Sequence, residues 1–183
     1  MERKERVLSS GRLEGPPGHS VDIKKLSTPE EALWCAELMA ASEPWLTLKI
    51  HRDVLLKIMN DPWREVYVGY TGKQAVGVVI ILMKGALTGY IQSICVAPQW
   101  RNKGIGRQLM NYAEKRIFSE APNVFLFVSS FNGDAQRFYK KLGYEVVGEL
   151  CDYFFRGESE ILLRKSIAPL SEFKKAVSQR NRS

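Results

Sequence analysis

The feature that most constrains this chain is one stretch, Thr88 to Ser129. It reads as a strand to Val96, a glycine-containing loop, a helix from about Gly104 to Ser119, and a second strand from Asn123. A helical crossover between two strands of one sheet leaves them parallel, and such connections are right-handed in nearly all proteins. The other strand-like runs are joined by links too short for a crossover. Thr71-Gly72-Lys73 and Lys84-Gly85 separate Glu65–Tyr70, Gln74–Met83 and Thr88–Val96, and Arg156-Gly157 splits Tyr144–Asp152 from Glu160–Lys165. Short turns of this kind make antiparallel pairs. The sequence therefore predicts a mixed, mostly antiparallel sheet with one parallel step in its middle.

The remaining segments fit around that sheet. Val21 to Leu26 alternates apolar and polar like a short strand. Thr28-Pro29-Glu30-Glu31 carries a helix start, with Thr28 as cap, Pro29 in the first turn and Glu31 closing a capping box; the helix runs to about Ala41. His51 to Asn60 forms a second helix, with Leu55, Ile58 and Met59 on one face and Asp61-Pro62 as its stop. The crossover helix carries Ile105, Leu109, Tyr112, Ala113 and Ile117 on one stripe. A last helix, Gly133 to Leu142, packs with Phe138 and Leu142. The order is strand, two helices, three strands, helix, strand, helix, two strands: an α+β (mixed α/β) domain of about seven strands and four helices. A chain of 183 residues suits one such domain. Residues 1–20, with Ser-Ser-Gly and Gly-Pro-Pro-Gly among mixed charges, are expected to be disordered; residues 21–166 form the domain. Residues 167–183 form a basic tail, partly helical around Leu170 to Val177.

Composition excludes several functions. Cys35, Cys95 and Cys151 are odd in number and widely spaced, so they indicate neither a disulfide framework nor a zinc knuckle. With only His19 and His51, a histidine-rich metal site is excluded and no metal is expected. The start is too charged for a signal peptide, and the longest apolar run, Ala75 to Met83, is about half of the ~20 residues that cross a bilayer. No membrane partner is expected, and a cytoplasmic location follows by default. The net charge of +7 suits an anionic ligand or mere solubility. Nucleic acid is a disfavoured partner: Lys174, Lys175, Arg180 and Arg182 accompany no reading motif and no aromatic stripe.

The loop Val96 to Arg107 joins a strand to a helix. A helix N-terminus presents unpaired N–H groups and a positive dipole end, a natural anion site. Gly104 and Gly106 let a phosphate approach the backbone, while Arg101, Lys103 and Arg107 add charge. Arg107-Gln108 stands where a P-loop has Lys-Ser or Lys-Thr, and Leu109 stands where a dinucleotide fingerprint needs a third small residue. Further on, Asn132 and Tyr139 are seven residues apart, close to two helical turns, with Ala135 between them. A polar anchor, a small residue and a phenol on one stripe form a groove for a thin, extended ligand. Asn132 is equally suited to cap the helix, and Tyr139 to pack at the core's edge.

Arg101-Asn102-Lys103-Gly104-Ile105-Gly106, preceded by Ile94-Cys95-Val96-Ala97-Pro98 and followed by Asn132, Ala135, Phe138-Tyr139 and Leu142-Gly143-Tyr144, resembles the GNAT acetyltransferase superfamily. The resemblance is sharp from Ile91 to Tyr144. It implies a GNAT-like acyl-CoA N-acyltransferase fold, splayed between the fourth and fifth strands, with acyl-CoA, in particular acetyl-CoA, in the opening. It implies that the backbone of Ile94, Cys95 and Val96 pairs with the pantetheine arm. Amides of Lys103, Gly104, Ile105, Gly106 and Arg107 would hold the pyrophosphate, with Arg101 and Asn102 also in the coenzyme-binding loop. Asn132 would bind the pantetheine arm, and Tyr139 would be the general acid to sulfur. The implied reaction is acetyl transfer to a primary amine by direct attack. A non-catalytic acyl-CoA sensor or adaptor on the same fold is the alternative.

Many relatives place a glutamate on a central strand as base. Here Gln92, Ser93, Phe127 and Val128 stand there, and none is a convincing base. Glu43, Asp152, Tyr153 or water could fill the role, or the amine could arrive neutral. On the acceptor side, Glu43, Trp45 and Tyr153 are the candidate substrate residues; Trp45 is equally suited to plug the core, and Glu43 to be solvated. The amine partner can be a small molecule or a peptide or protein amine, and a homodimer is left open.

Overall fold

The computed structural model describes residues 20–174. The expectation of disorder for residues 1–20 therefore lies almost wholly outside the described residues. The chain runs β1 (Asp22–Lys25), α1 (Pro29–Ala40), α2 (Arg52–Met59), β2 (Arg64–Thr71), β3 (Gln74–Leu82) and β4 (Tyr90–Val96). After a 3-10 turn at Pro98–Trp100 come α3 (Ile105–Phe118), β5 (Asn123–Ser129), α4 (Gly133–Lys141), β6 (Glu145–Cys151) and β7 (Ser159–Ser166). One seven-stranded sheet has the order β1-β2-β3-β4-β5-β7-β6. Every pairing is antiparallel except β4 with β5, the predicted parallel step.

Local chemistry sets the boundaries. The capping box at Thr28 is formed: Glu31 N–H donates to Thr28 Oγ1 at 3.2 Å, and Thr28 N–H donates to Glu31 Oε2 at 3.2 Å. Glu31 Oε1 also accepts from the Tyr70 hydroxyl at 2.5 Å, tying α1 to β2. The strand expected from Thr88 begins at Tyr90 instead. Gly89 has φ +85°, and Thr88 Oγ1 donates to the Gly85 carbonyl, so the turn extends to this point. A helical segment begins at Leu170, as expected, and is described to residue 174; the rest of the basic tail lies outside the described residues.

Two apolar cores lie on opposite faces of the sheet. One joins α3 and α4 to the sheet through Ile105, Leu109, Met110, Ala113, Ile117, Leu126 and Tyr139. Burying each larger aliphatic side chain there stabilises by about 1.5–3 kcal/mol. The other joins α1 and α2 to β2, β3 and β4 through Cys35, Met39, Leu55, Val68, Val78 and Cys95, and contains no residue of β5, β6 or β7. On that second face the outer three strands therefore lack the cover that α1 and α2 give the rest. Charge fixes α3 laterally: Arg116 pairs with Glu65 on β2 and with Glu120, both at 2.7 Å.

Candidate active site

The sheet opens where the sequence changes from hairpins to a crossover. β4 and β5 meet through a single bridge, Tyr90 with Phe125, and Phe125 N–H donates to the Gly89 carbonyl at 2.9 Å. Gly89 makes that close approach possible. A Cβ there would meet the Asn123 carbonyl oxygen at 2.5 Å and Ile117 Cγ2 at 2.6 Å. Beyond the bridge the strands diverge, and a register irregularity between Ile80 and Ile81 leaves Gln92 unmatched on β4. Bulges of this kind bend and twist the strand that carries them.

The ladder to β3 fixes which groups of β4 face the opening. Ala97 N–H donates to the Val76 carbonyl, and the register continues Gly77↔Val96, Val78↔Cys95, Val79↔Ile94. Hydrogen-bonded and non-hydrogen-bonded pairs alternate along an antiparallel ladder. Cys95 therefore bonds to β3, while the backbone groups of Ile94 and Val96 point into the gap. The Val96 carbonyl accepts from Arg101 Nε at 3.1 Å, which leaves the Val96 N–H and both Ile94 groups facing the opening.

At the wide end of the gap stands the N-terminus of α3. Its cap is Gly104, at φ +79°, preceded by Asn102 at φ +59°, and no side chain caps the helix. The first helical hydrogen bond runs from Gln108 N–H to the Gly104 carbonyl, so the amides of Ile105, Gly106 and Arg107 lack helical partners. A Cβ on Gly104 would enter open space, whereas one on Gly106 would touch Phe138 Cζ at 3.4 Å. The three basic residues behave differently. Arg101 turns inward and bonds to Ser42 Oγ at 3.2 Å as well as to Val96. Lys103 lies 4.9 Å from the centre of the Trp100 ring, and Arg107 is exposed.

Across the gap, Asn132 caps α4, its Oδ1 accepting from Ala135 N–H at 3.2 Å. The side chain thus performs the capping role, with its amide nitrogen making no bond to a described residue. Tyr139 is more deeply packed than its spacing suggested. It is 7% exposed and belongs to the α3–α4 core, as does Leu142, while Phe138 packs at the margin. Its hydroxyl bonds to no described residue, yet is not among the fully enclosed unpaired atoms. Burial first, then the neighbouring Tyr90 and Cys95, push its pKa well above the ordinary tyrosine value.

Trp45 is 8% exposed and sits in the α1–α2 core, where it packs rather than faces a ligand. Glu43 is exposed and accepts from Thr47 N–H at 3.3 Å. Asp152 closes the β6–β7 turn by accepting from Gly157 N–H at 2.7 Å. Tyr153 is exposed and packs edge-on to Phe154 at 4.8 Å. Gln92 accepts from Arg64 Nε at 2.7 Å. Sequence reasoning passed over Tyr90, Ser129 and Glu160. Tyr90 packs edge-on to Phe127, and Ser129 pairs with Glu160 across β5 and β7. The signal available was an acidic residue at the head of an otherwise apolar alternating strand, but its neighbour depends on strand order.

Among the described residues no group of His, Cys, Asp and Glu could hold a metal ion, and no helix is long and apolar enough to cross a membrane.

Comparison with known proteins agrees with this architecture. The chain is 29% identical over 91 residues to the N-terminal acetyltransferase B complex catalytic subunit NAA20 of Arabidopsis thaliana, covering 49% of this chain and 52% of that one. It is 37% identical over 78 residues to an N-alpha-acetyltransferase of Sulfurisphaera tokodaii, covering 41% and 46% respectively. The matched region thus spans about half the length of these curated relatives. Among solved structures, an aminoglycoside 6'-N-acetyltransferase complexed with coenzyme A superposes with a TM-score of 0.68 at 20% identity, covering 81% of this chain and 98% of that one. A spermidine N-acetyltransferase mutant from Vibrio cholerae superposes at 0.63 with 18% identity, covering 84% and 95%. The model of the acetyltransferase (GNAT) family matches residues 27–144, more than half of the chain, and this protein belongs to that family.

Proposed function

We propose that the enzyme transfers the acetyl group of acetyl-CoA to a primary amine by direct attack, and that the acceptor is a peptide α-amine. The observation that supports this most is the alignment of two features along one opening. These are the unpaired β4 groups at Ile94 and Val96 and the uncapped N-terminus of α3, with Tyr139 of α4 within electrostatic range of Tyr90 and Cys95 on β4. The pyrophosphate meets the amides from Lys103 to Arg107, where N–H groups and the helix dipole favour negative charge. The pantetheine arm runs along β4 as an added strand, with the Asn132 amide on its far side. An N–H at Ile94 polarises the thioester carbonyl. Tyr139, like any tyrosine, is protonated at neutral pH and can donate to the thiolate as sulfur departs. The amine adds to the carbonyl carbon, the C–S bond breaks, and the proton lost by nitrogen balances the one gained by sulfur. The peptide assignment draws on the two curated relatives, both named as acetyltransferases of protein N-termini or α-amines. The exposed Tyr153, Phe154 and Phe155 beside the opening offer apolar contact for a peptide.

The test is thiol release from acetyl-CoA across α-amine peptides, spermidine and an aminoglycoside, with parent and Tyr139→Phe enzymes. Turnover with peptides, reduced on the order of 100-fold in Tyr139→Phe with little change in acetyl-CoA binding, is the expected result. Unchanged turnover removes Tyr139 from the mechanism, and preference for spermidine or the aminoglycoside overturns the acceptor class.

A further inference from the structure

The base that the central strands lack is supplied by β7: we infer that Glu160, paired with Ser129 beside the mouth of the opening, takes the proton from the incoming ammonium through one water. This rests on the proposed amine acetylation.

Position is the first argument. The β4–β5 bridge lies at Tyr90 and Phe125, and both strands run on from it in parallel. Four residues further, Ile94 on β4 stands at about the level of Ser129 on β5, roughly 13 Å from the closed end at ~3.3 Å per residue. Ile94 is where the thioester carbonyl is proposed to bind. Ser129 is directly paired with Glu160 on the next strand. Side chains alternate between faces of a sheet. Val124, Leu126, Val128 and Leu163 fill the α3–α4 core, so Ser129 and Glu160 face the opposite side, which α1 and α2 leave uncovered there. Donor and base thus approach the carbonyl from different faces, as an amine attacking a bound thioester requires.

Chemistry is the second. Glu160 is 8% exposed, and Oε1 accepts from Ser129 Oγ at 2.5 Å. Oε2 bonds to no described residue and is not among the fully enclosed unpaired atoms, so it retains access to solvent. No cation among the described residues neutralises it. Tyr90 lies within electrostatic range of Glu160, of Tyr153 and of Tyr139. The groups that interact with Glu160 are Tyr90 from β4 and Ser129 from β5; Tyr153 of the β6–β7 turn interacts with Tyr90, Glu158 is held by Ser130, and Arg164 lies at the level of Phe125. Burial raises the carboxyl above its ordinary value, toward the range in which a general base works best. In the step itself the ammonium N–H bond breaks, its electron pair stays on nitrogen, and the proton passes through water to Oε2. The carboxyl returns it to solvent after the amide forms.

Glu160→Gln tests this, because a glutamine Oε1 still accepts from Ser129 but binds no proton. The expected result is a kcat lowered on the order of 100-fold or more. KM for acetyl-CoA should stay within about twofold, Tm should not fall at neutral pH, and the acid limb of the kcat/KM profile should disappear. Glu160→Asp, a base set back by one methylene, should retain an acid limb. A Glu160→Gln enzyme with parental kcat and parental pH profile overturns the inference alone. A parent enzyme that releases no thiol with any amine overturns both this inference and the amine-acetylation reading.

Discussion

Gly104 is the residue at which anion binding and folding can be separated by substitution. Its φ of +79° is left-handed, and the direction of its absent side chain leads to open space in front of the α3 amides. Gly104→Ala therefore does two things. The left-handed conformation costs alanine about 1–2 kcal/mol, and for a chain of this size each kcal/mol lowers Tm by about 2–4 °C. On the proposed reading, the methyl group also stands where the pyrophosphate lies. Losing one hydrogen bond to a charged oxygen costs about 1.5–3 kcal/mol, which weakens Kd for CoA by about 10- to 100-fold. Gly104→Asn separates the two effects, because asparagine tolerates the left-handed region. It should leave Tm nearly unchanged and still weaken CoA. Gly106→Ala is the control. Its Cβ meets Phe138 Cζ at 3.4 Å and Val96 Cγ2 at 3.7 Å, ordinary contact distances. Inside a helix, alanine gains about 0.8–1 kcal/mol over glycine. Calorimetric titration with CoA and thermal scans on the three variants read both quantities. If Gly104→Asn binds CoA like the parent, the α3 N-terminus is not the pyrophosphate site.

Two further predictions concern stability. Lys165→Met removes the partner of Glu114, a carboxylate 8% exposed on α3 whose Oε1 already lacks one. Stranding a buried charge costs about 3 kcal/mol, so thermal scans should show a clear loss that Glu114→Gln in the same background largely recovers. Glu31 is held below its ordinary value of 4.5, first by the Tyr70 hydroxyl and then by Ser27 N–H, with burial opposing and Thr28 N–H assisting. A lowered folded pKa gives stabilisation that is present above 4.5 and lost as pH falls through the folded value. The Tm difference between parent and Glu31→Gln should therefore be full at pH 6 and narrow below pH 4.5; a difference independent of pH contradicts the assignment.

Much of the fold was legible because its signals are local. The Thr28 box, the Asp61-Pro62 stop and the glycine turns each depend on a few consecutive residues. The helical crossover fixed the one parallel pair before any contact was known. Burial was less legible. Tyr139 and Trp45 carry polar atoms that suggest a surface, yet both are packed, because whether a neighbouring element covers an aromatic ring depends on tertiary geometry. Arg101 illustrates the same limit: its charge suggested phosphate, while its Nε closes the end of β4 and its terminal nitrogen reaches Ser42, 59 residues away.

The two halves of the site differ in a way that explains what the sequence could and could not reveal. The proposed donor half is backbone: the β4 edge at Ile94 and Val96 and the first turn of α3. Backbone exposure leaves a sequence trace, since it needs glycine where a side chain would obstruct and a strand–loop–helix order to aim the amides. The proposed acceptor half is side chains brought together by strand order. Ser129 meets Glu160 only because β7 inserts between β5 and β6, and the two residues are 31 positions apart. A β6 strand pairing directly with β5 would fit the same turn signals and put a different residue beside Ser129. The acid limb of the pH profile is therefore a probe of topology as well as of chemistry. It should follow residue 160 and be indifferent to Glu43 and Asp152, the carboxylates that proximity in sequence to the acceptor walls had favoured.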